Sequence, residues 1–348
     1  MIDGNDMSNG IIERISEDNY LPFYNLVRRN QWGNILLPNK YVSSLWGGLI
    51  HKGDAIVGGW IGIVRGNKPI IKCIAKSVYF DAYPIFASQE YADRYQQKLI
   101  DTMREWARKE HIVMFNLTHW VRGVGLPYLH TEHNATFLLP LQDTTDLQWK
   151  MIESTQRNKI RKGERNGVDV IALNGDEAIA QLQVFQQLRA QTQQHAIGKN
   201  ASTSMLLKSD IFFKNILQKT NATLFIGSAQ TKPATVALMI ASGETVYYYS
   251  GGSDYELNRQ TGSSAYVIWK AIEYYREQHS IRFMDMGGVP PTPATDHPAY
   301  GVYVFKRSFG GEYIEFDAGV IVINKIKYAI LKQVLSMRKI LRVFSKYL

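Results

Sequence analysis

SSAYVIWKAIEYYREQHSIRFMDM, residues 263–286, reads as an apolar-faced helix that runs into a short buried strand, the hydrophobic period changing from helical to extended within one stretch. Residues 91–117, YADRYQQKLIDTMREWARKEHIVMFNL, repeat that pattern. Setting Ile112 on Ile281 places Trp106 on Tyr275, Phe115 on Met284 and Asn116 on Asp285. The stretches before each helix also agree. AIVGGWIGIVRG (55–66) and KPIIKCIAKSVYF (68–80) precede the first helix, and ATVALMIASG (234–243) and ETVYYYSGG (244–252) precede the second. Each pair reads as β-strands joined by a short turn. The expectation is an α+β protein of two tandem halves from one duplicated fold, each with a mixed, mostly antiparallel sheet flanked by helices.

Between the halves, Asp143 to Asp146 offer N-caps and Gly167 a C′ position after a basic helix, with Val168–Leu173 as the next strand. The domain boundary is placed near residue 145. The expected division is 1–145, then 146–324, then a basic amphipathic helix over 325–348. The polar stretch QTQQHAIGKNASTSMLLKSD (191–210) reads as a loop that covers a site.

Residues 285–311, DMGGVPPTPATDHPAYGVYVFKRSFGG, read as strand, loop and strand, with Gly287 and Gly288 turning the backbone and VYVF delivering Lys306 and Arg307. Taken alone, this is a hairpin with a surface lysine. In the basic helix before Gly167, Arg157 and Arg161 lie four apart on one face, suited either to gripping phosphate or to a solvated surface. Arg259, Gly262 and Ser264 form R-x-x-G-x-S before a helix, either a pyrophosphate cradle or ordinary capping. It is similar to the acyl-CoA loop of the GNAT acetyltransferases, differing at its last position. Among Tyr247, Tyr248 and Tyr249, alternation sends Tyr248 to the side opposite the other two, with core packing as the main role.

Composition bounds the classes. The 348 residues are 45% hydrophobic and 20% charged, with 40 basic against 31 acidic side chains and a net charge of +9, suited to anionic partners. Cys73 is the single cysteine, a small buried thiol in an apolar run, so no internal disulfide and no cysteine-rich metal site can form. The histidines lack helical metal-ligand spacing apart from the loop pair His130 and His133, and no serine triad motif occurs; no metal is expected. No apolar run reaches membrane-spanning length and the first residues lack a secretory pattern, so a cytoplasmic protein is expected. From Ala318 to Leu348 there is no acidic residue. On a helical wheel Ile326, Ile330, Val334, Met337, Leu341 and Phe344 share one face and Lys325, Lys332, Lys339 and Lys346 another. The pattern suits a helix lying on an anionic bilayer at the inner face of the membrane, or one packed on the protein body.

Three segments together resemble the Fem family of peptidyltransferases, which extend the peptide of cell-wall precursors. They are RNKIRKGERNGVDV (157–170), FQQLRAQTQQH (185–195), and DMGGV (285–289) followed by GVYVFKRSFGGEYIEF (301–316). The resemblance is dense in the second half of the chain and one of pattern in the first. It implies two GNAT-like domains in tandem and transfer of an aminoacyl group from charged tRNA to an amine of a nucleotide- or lipid-linked sugar or muropeptide. It casts Lys306 as the cation that stabilises the oxyanion, Asp285 as a group that orients Lys306 or the incoming amine or else as a structural strand end, and Arg157 and Arg161 as phosphate holders. Phe305, Arg307, Tyr248 and His195 are candidate substrate contacts, and Arg259, Gly262 and Ser264 candidate contacts for the donor. Two positions depart from the family pattern. His195 or Gln194 stands where the family has Arg, and Gly163 where it has Ala. No permanently bound cofactor is implied. The likeness to the wider superfamily also implies acylation of amino sugars from acyl-CoA, so aminoacyl-tRNA and acyl-CoA are rival donors, and a non-catalytic protein that holds nucleic acid or lipid is the reading from another class.

Overall fold

A computed structural model describes residues 10–16, 19, 23, 45–65, 75–80, 84–117, 130–198 and 210–344. Cys73, the side chain of His130 and most of the 117–130 segment lie outside the described residues. The chain forms two compact units, one mainly from the residues up to Glu132 together with Asp317 onward, the other mainly His133–Phe316.

In the first unit β1 (Ile11–Arg14), β2 (Leu45–Lys52), β3 (Ala55–Arg65) and β4 (Ser77–Phe80) pair antiparallel in sequence, and β5 (Ile85–Phe86) also pairs with β3. Helix α1 (Gln89–Lys109) follows and leads to β6 (Met114–Leu117), which pairs parallel with β4. Ser88 caps α1 through a bond accepted from the Tyr91 N–H, and Arg108 and Lys109 suit its negative end. Leu99, Ile100 and Met103 bury the helix's apolar face, and Trp60 stacks on Phe80 at 3.9 Å with Phe115 edge-on to both.

The second unit starts with β7 (His130–Pro140), α2 (Thr145–Met151) and α3 (Ser154–Arg165). Then come β8 (Asp169–Asn174), α4 (Gly175–Ala180), α5 (Leu182–Gly198), α6 (Asp210–Lys219), β9 (Asn221–Ala229), β10 (Lys232–Ser242) and β11 (Thr245–Ser253). They are followed by α7 (Tyr255–Thr261), α8 (Ser263–Arg276), β12 (Phe283–Asp285) and α9 (Tyr300–Arg307). The strand order is β7-β12-β11-β10-β9-β8, antiparallel except for β11 with β12. Helix α8 buries Ala265, Ile268 and Ile272 against Phe225, Ala237, Met239, Val246 and Met284 of one sheet face, and α5 covers the other. Strand β13 (Glu312–Val322) begins in the second unit and ends in the first, where Gly319–Val322 pair antiparallel with β6, and α10 (Lys325–Phe344) follows.

The duplication is visible in the registers. In both units two antiparallel strands lead through a helix to a strand parallel with the second of them. Asn116 of β6 lies opposite Tyr79, and Asp285 of β12 lies opposite Tyr247.

Four local expectations change. The run VYVF is helix α9, not a second strand: a short apolar run carries no decisive period, and here Tyr303 and Phe305 both pack against the core while Val302 is exposed. Residues 191–198 continue α5 instead of opening a loop, while 199–209 lie outside the described residues. The basic segment before Gly167 is two helices, α2 capped by Thr144 and α3 starting after an extended Ile152. The units divide at Glu132 and again at Phe316, where bounds at 145 and 324 were expected; β7 is hydrogen-bonded to β12 and so joins the second unit.

Candidate active site

Asp285 closes β12 and is fully buried. Its neighbour Met284 points to the α8 side, so alternation sends Asp285 to the other face, as it does Tyr247 beside it. The Thr136 hydroxyl from β7 and the Gly287 N–H (2.8 Å) both donate to Oδ1 of Asp285, whereas Oδ2 has no hydrogen-bond partner among the described residues. Burial pushes the carboxyl up to about 6, with Thr136, Gly287 and the charge of Lys306 pulling against it. Burial, and then the charge of Asp285, hold the Tyr247 phenol above its usual range.

Gly287 adopts a left-handed φ of 79°, a conformation that costs a residue with a side chain and lets the chain fold back at the strand end. The turn exposes two carbonyl oxygens to Lys306, whose Nζ donates to Gly287 at 2.9 Å and to Gly288 at 3.1 Å. Lys306 is half-buried in the last turn of α9, and burial lowers its ammonium to about 8 although Asp285 opposes the shift. Its Nζ lies 5.7 Å from the centre of the Tyr248 ring.

Lys306 reaches Tyr248 beside a break between strands. The parallel pairing ends at Tyr247 and Asp285, although β11 continues to Ser253. Next along β11 the register with β10 slips, Met239 facing Tyr248 and Leu238 facing Ser250, so Tyr249 forms a bulge and the expected alternation stops there. Tyr248 packs on the α8 side with its hydroxyl lying over Gly251, where any Cβ would collide with it.

Helices α3 and α9 are joined through Glu153. Its N–H donates to the Ser308 carbonyl at 2.9 Å, and its Oε1 accepts from Arg307 Nε at 3.2 Å. Arg157, half-buried, and Arg161, exposed, stand on successive turns of α3 beyond this joint. The Arg161 guanidinium lies 5.4 Å from the Trp149 ring centre. Phe305 is directed into the core, edge-on to Phe309 at 5.4 Å, so it supports the lysine's helix from within.

The R-x-x-G-x-S segment does not form an open cradle. Gly262, at φ 75°, ends α7 and starts α8, and a Cβ there would stand 2.5 Å from the Lys159 carbonyl of α3. The Asn258 side chain already accepts from the Ser264 N–H at 2.8 Å, and Thr235 bonds the Ser263 hydroxyl. Arg259 is spent on an exposed pair with Glu256. The same packing accounts for Gly163, whose added Cβ would meet Tyr266 of α8 at 2.5 Å. His195 stacks on Tyr255 at 3.9 Å, near the end of β11 that Thr192 holds through the Ser253 N–H.

Sequence reasoning missed Thr136 and Arg189. Thr136 carries no motif, and only the pairing of β7 with β12 brings it to Asp285. Arg189 is 3% exposed; it donates to Ser250 and Gln186, each at 2.8 Å, and sits over the Phe213 ring at 4.7 Å. Its place inside the run FQQLRAQT was the available signal. Among the described residues no group of His, Cys, Asp and Glu could hold a metal ion.

Residues 212–335 match the FemAB family. A search of curated proteins returned no match. The solved structure of FemX is 14% identical and superposes with a TM-score of 0.67, covering 92% of this chain and 99% of that one. A conserved protein of unknown function from Bacteroides thetaiotaomicron is 13% identical with a TM-score of 0.56, over 89% of this chain and 99% of its own. A tandem GNAT protein from the clavulanic acid biosynthesis pathway is 11% identical with a TM-score of 0.50, over 91% and 99%. These likenesses establish the fold as tandem GNAT-like domains.

Proposed function

We propose that this Fem-like protein of the GNAT superfamily is an aminoacyltransferase that moves an aminoacyl group from an ester donor to an amine of a nucleotide- or lipid-linked cell-envelope precursor. The observation that carries the reading is the mounting of Lys306. An ammonium has three donors, and the carbonyls of Gly287 and Gly288 engage two of them. The third can serve an oxygen that becomes negative during reaction.

In the proposed reaction the acceptor amine attacks the ester carbonyl. A C–N bond forms, the carbonyl oxygen takes up negative charge, the C–O bond to the donor's ribose breaks, and the amine's proton ends on the leaving oxygen. A preorganised cation in a half-buried site stabilises that charge most strongly in the transition state. Lys306 stays mostly protonated at neutral pH, since its lowered value of about 8 is still above it. Asp285 acts as a positioning residue: it holds the Gly287 N–H and thereby the turn whose carbonyls fix Lys306. Arg157, Arg161 and Arg307 supply cations near the joint of α3 and α9 for the phosphates of donor or acceptor.

The closed R-x-x-G-x-S segment favours an aminoacyl ester over acyl-CoA, because the helix N-terminus that would receive a pyrophosphate is occupied by Asn258 and packed under α3. Mass spectrometry of acceptor mixtures tests the reading. Charged tRNA with a nucleotide-linked muropeptide should yield a product heavier by one aminoacyl residue. Acylation from acyl-CoA alone, with none from any charged tRNA, would overturn it.

A further inference from the structure

Helix α10 offers a surface that the transfer reaction does not use. Its helical pattern places an apolar stripe beside rows of cations, and the structure decides which way the first turns of that stripe point. Leu331 is 7% exposed and Tyr328 and Val334 are half-buried, so these residues form the inward side. Ile326 and Ile330, four apart and therefore on one face, are 76% and 42% exposed. Lys325 and Lys332 are exposed on the same turns, and Lys327 is half-buried. Ile326 and Ile330 are thus turned away from the protein body while Val334 further along the stripe turns inward, and the exposed Lys325 and Lys332 flank the outward pair.

We propose that α10 docks this protein on an anionic lipid surface, with Ile326 and Ile330 entering the interface and the lysines meeting lipid headgroups. Charge complementarity selects this occupant. Residues 318–348 contain Lys325, Lys327, Lys332, Arg338, Lys339, Arg342 and Lys346 and no acid, so a second copy of the same face would bring like charges together. No helix among the described residues is long and apolar enough to cross a bilayer, so the helix would lie on the surface. The inference stands apart from the proposed reaction, because lipid binding requires neither donor nor acceptor.

Sedimentation of the full chain with phosphatidylglycerol or phosphatidylcholine vesicles tests it. The protein should pellet with the anionic vesicles, be released by high salt, and ignore the zwitterionic ones. The double variant Ile326→Glu/Ile330→Glu should bind at least about tenfold more weakly while keeping its melting temperature, because both side chains are exposed. Lys325→Gln/Lys332→Gln should weaken binding in low salt only. Equal pelleting of the wild-type chain and the double Glu variant overturns the proposal. So does failure of the wild type to bind anionic vesicles, or concentration-dependent dimerisation that the double variant abolishes.

Discussion

The Nζ of Lys306 donates to the main-chain carbonyl of Gly287 at 2.9 Å, two residues past the buried Asp285 whose carboxylate holds the Gly287 N–H. One tight turn therefore links the acid to the lysine: the carboxylate fixes the peptide group before Gly287 and the lysine reads the carbonyl after it.

Lys306→Met should leave donor binding nearly intact and lower turnover about a hundredfold or more, since it removes the charge that the proposed reaction uses in its transition state. In the wild type the pH–rate profile should fall as pH rises through about 8, where the ammonium loses its proton. Single-turnover rates would measure both. An unaltered rate in Lys306→Met would remove the lysine from the mechanism.

Asp285 should make stability depend on pH. Its folded-state value, about 6, lies above the ordinary carboxylate value of roughly 4, so the fold binds this proton more tightly than the unfolded chain does. The contribution is full below the unfolded value and is lost as pH rises through about 6. Asp285→Asn should flatten that loss by about 2 kcal/mol between pH 4.5 and 7.5, read by urea unfolding. Parallel curves for the two proteins would show that the carboxyl titrates normally.

At Arg189 the conservative change should be the worse one. Lysine keeps a buried charge but loses the planar fork that bonds Ser250 and Gln186 and stacks on Phe213, whereas methionine fills the space without a charge. Arg189→Lys should cost roughly 2 kcal/mol more than Arg189→Met in chemical denaturation. The reverse order would mean that the site tolerates a hydrated ammonium.

Gly262→Ala combines a positive φ with a collision against the Lys159 carbonyl, so it should destabilise by roughly 2 kcal/mol or more and lower the melting temperature. In the wild type, millimolar acyl-CoA should leave the melting temperature unchanged, because this helix start is already capped. A clear upward shift would reopen the acyl-CoA reading.

The duplicated α+β plan was legible in the chain because it rests on period and order. Amphipathic helices over 89–109 and 263–276, each followed by a short apolar strand, repeat with one spacing, and the match of Asn116 with Asp285 reappears as their shared place opposite a tyrosine. Lys306 and Asp285 were legible as a pair of motifs. What joins them was not: the VYVF run has no period of its own, and only packing against Phe137 and Phe309 makes it a helix that carries the lysine back to the Gly287 turn. The same holds for Thr136 at Asp285, the closure of R-x-x-G-x-S under α3, and the outward direction of Ile326 and Ile330. Sequence determined which segments become helix and strand wherever local periodicity dominates. Contacts between segments far apart in the chain decided what each polar group meets, because burial and hydrogen-bond partners are set by long-range pairing that no local pattern encodes.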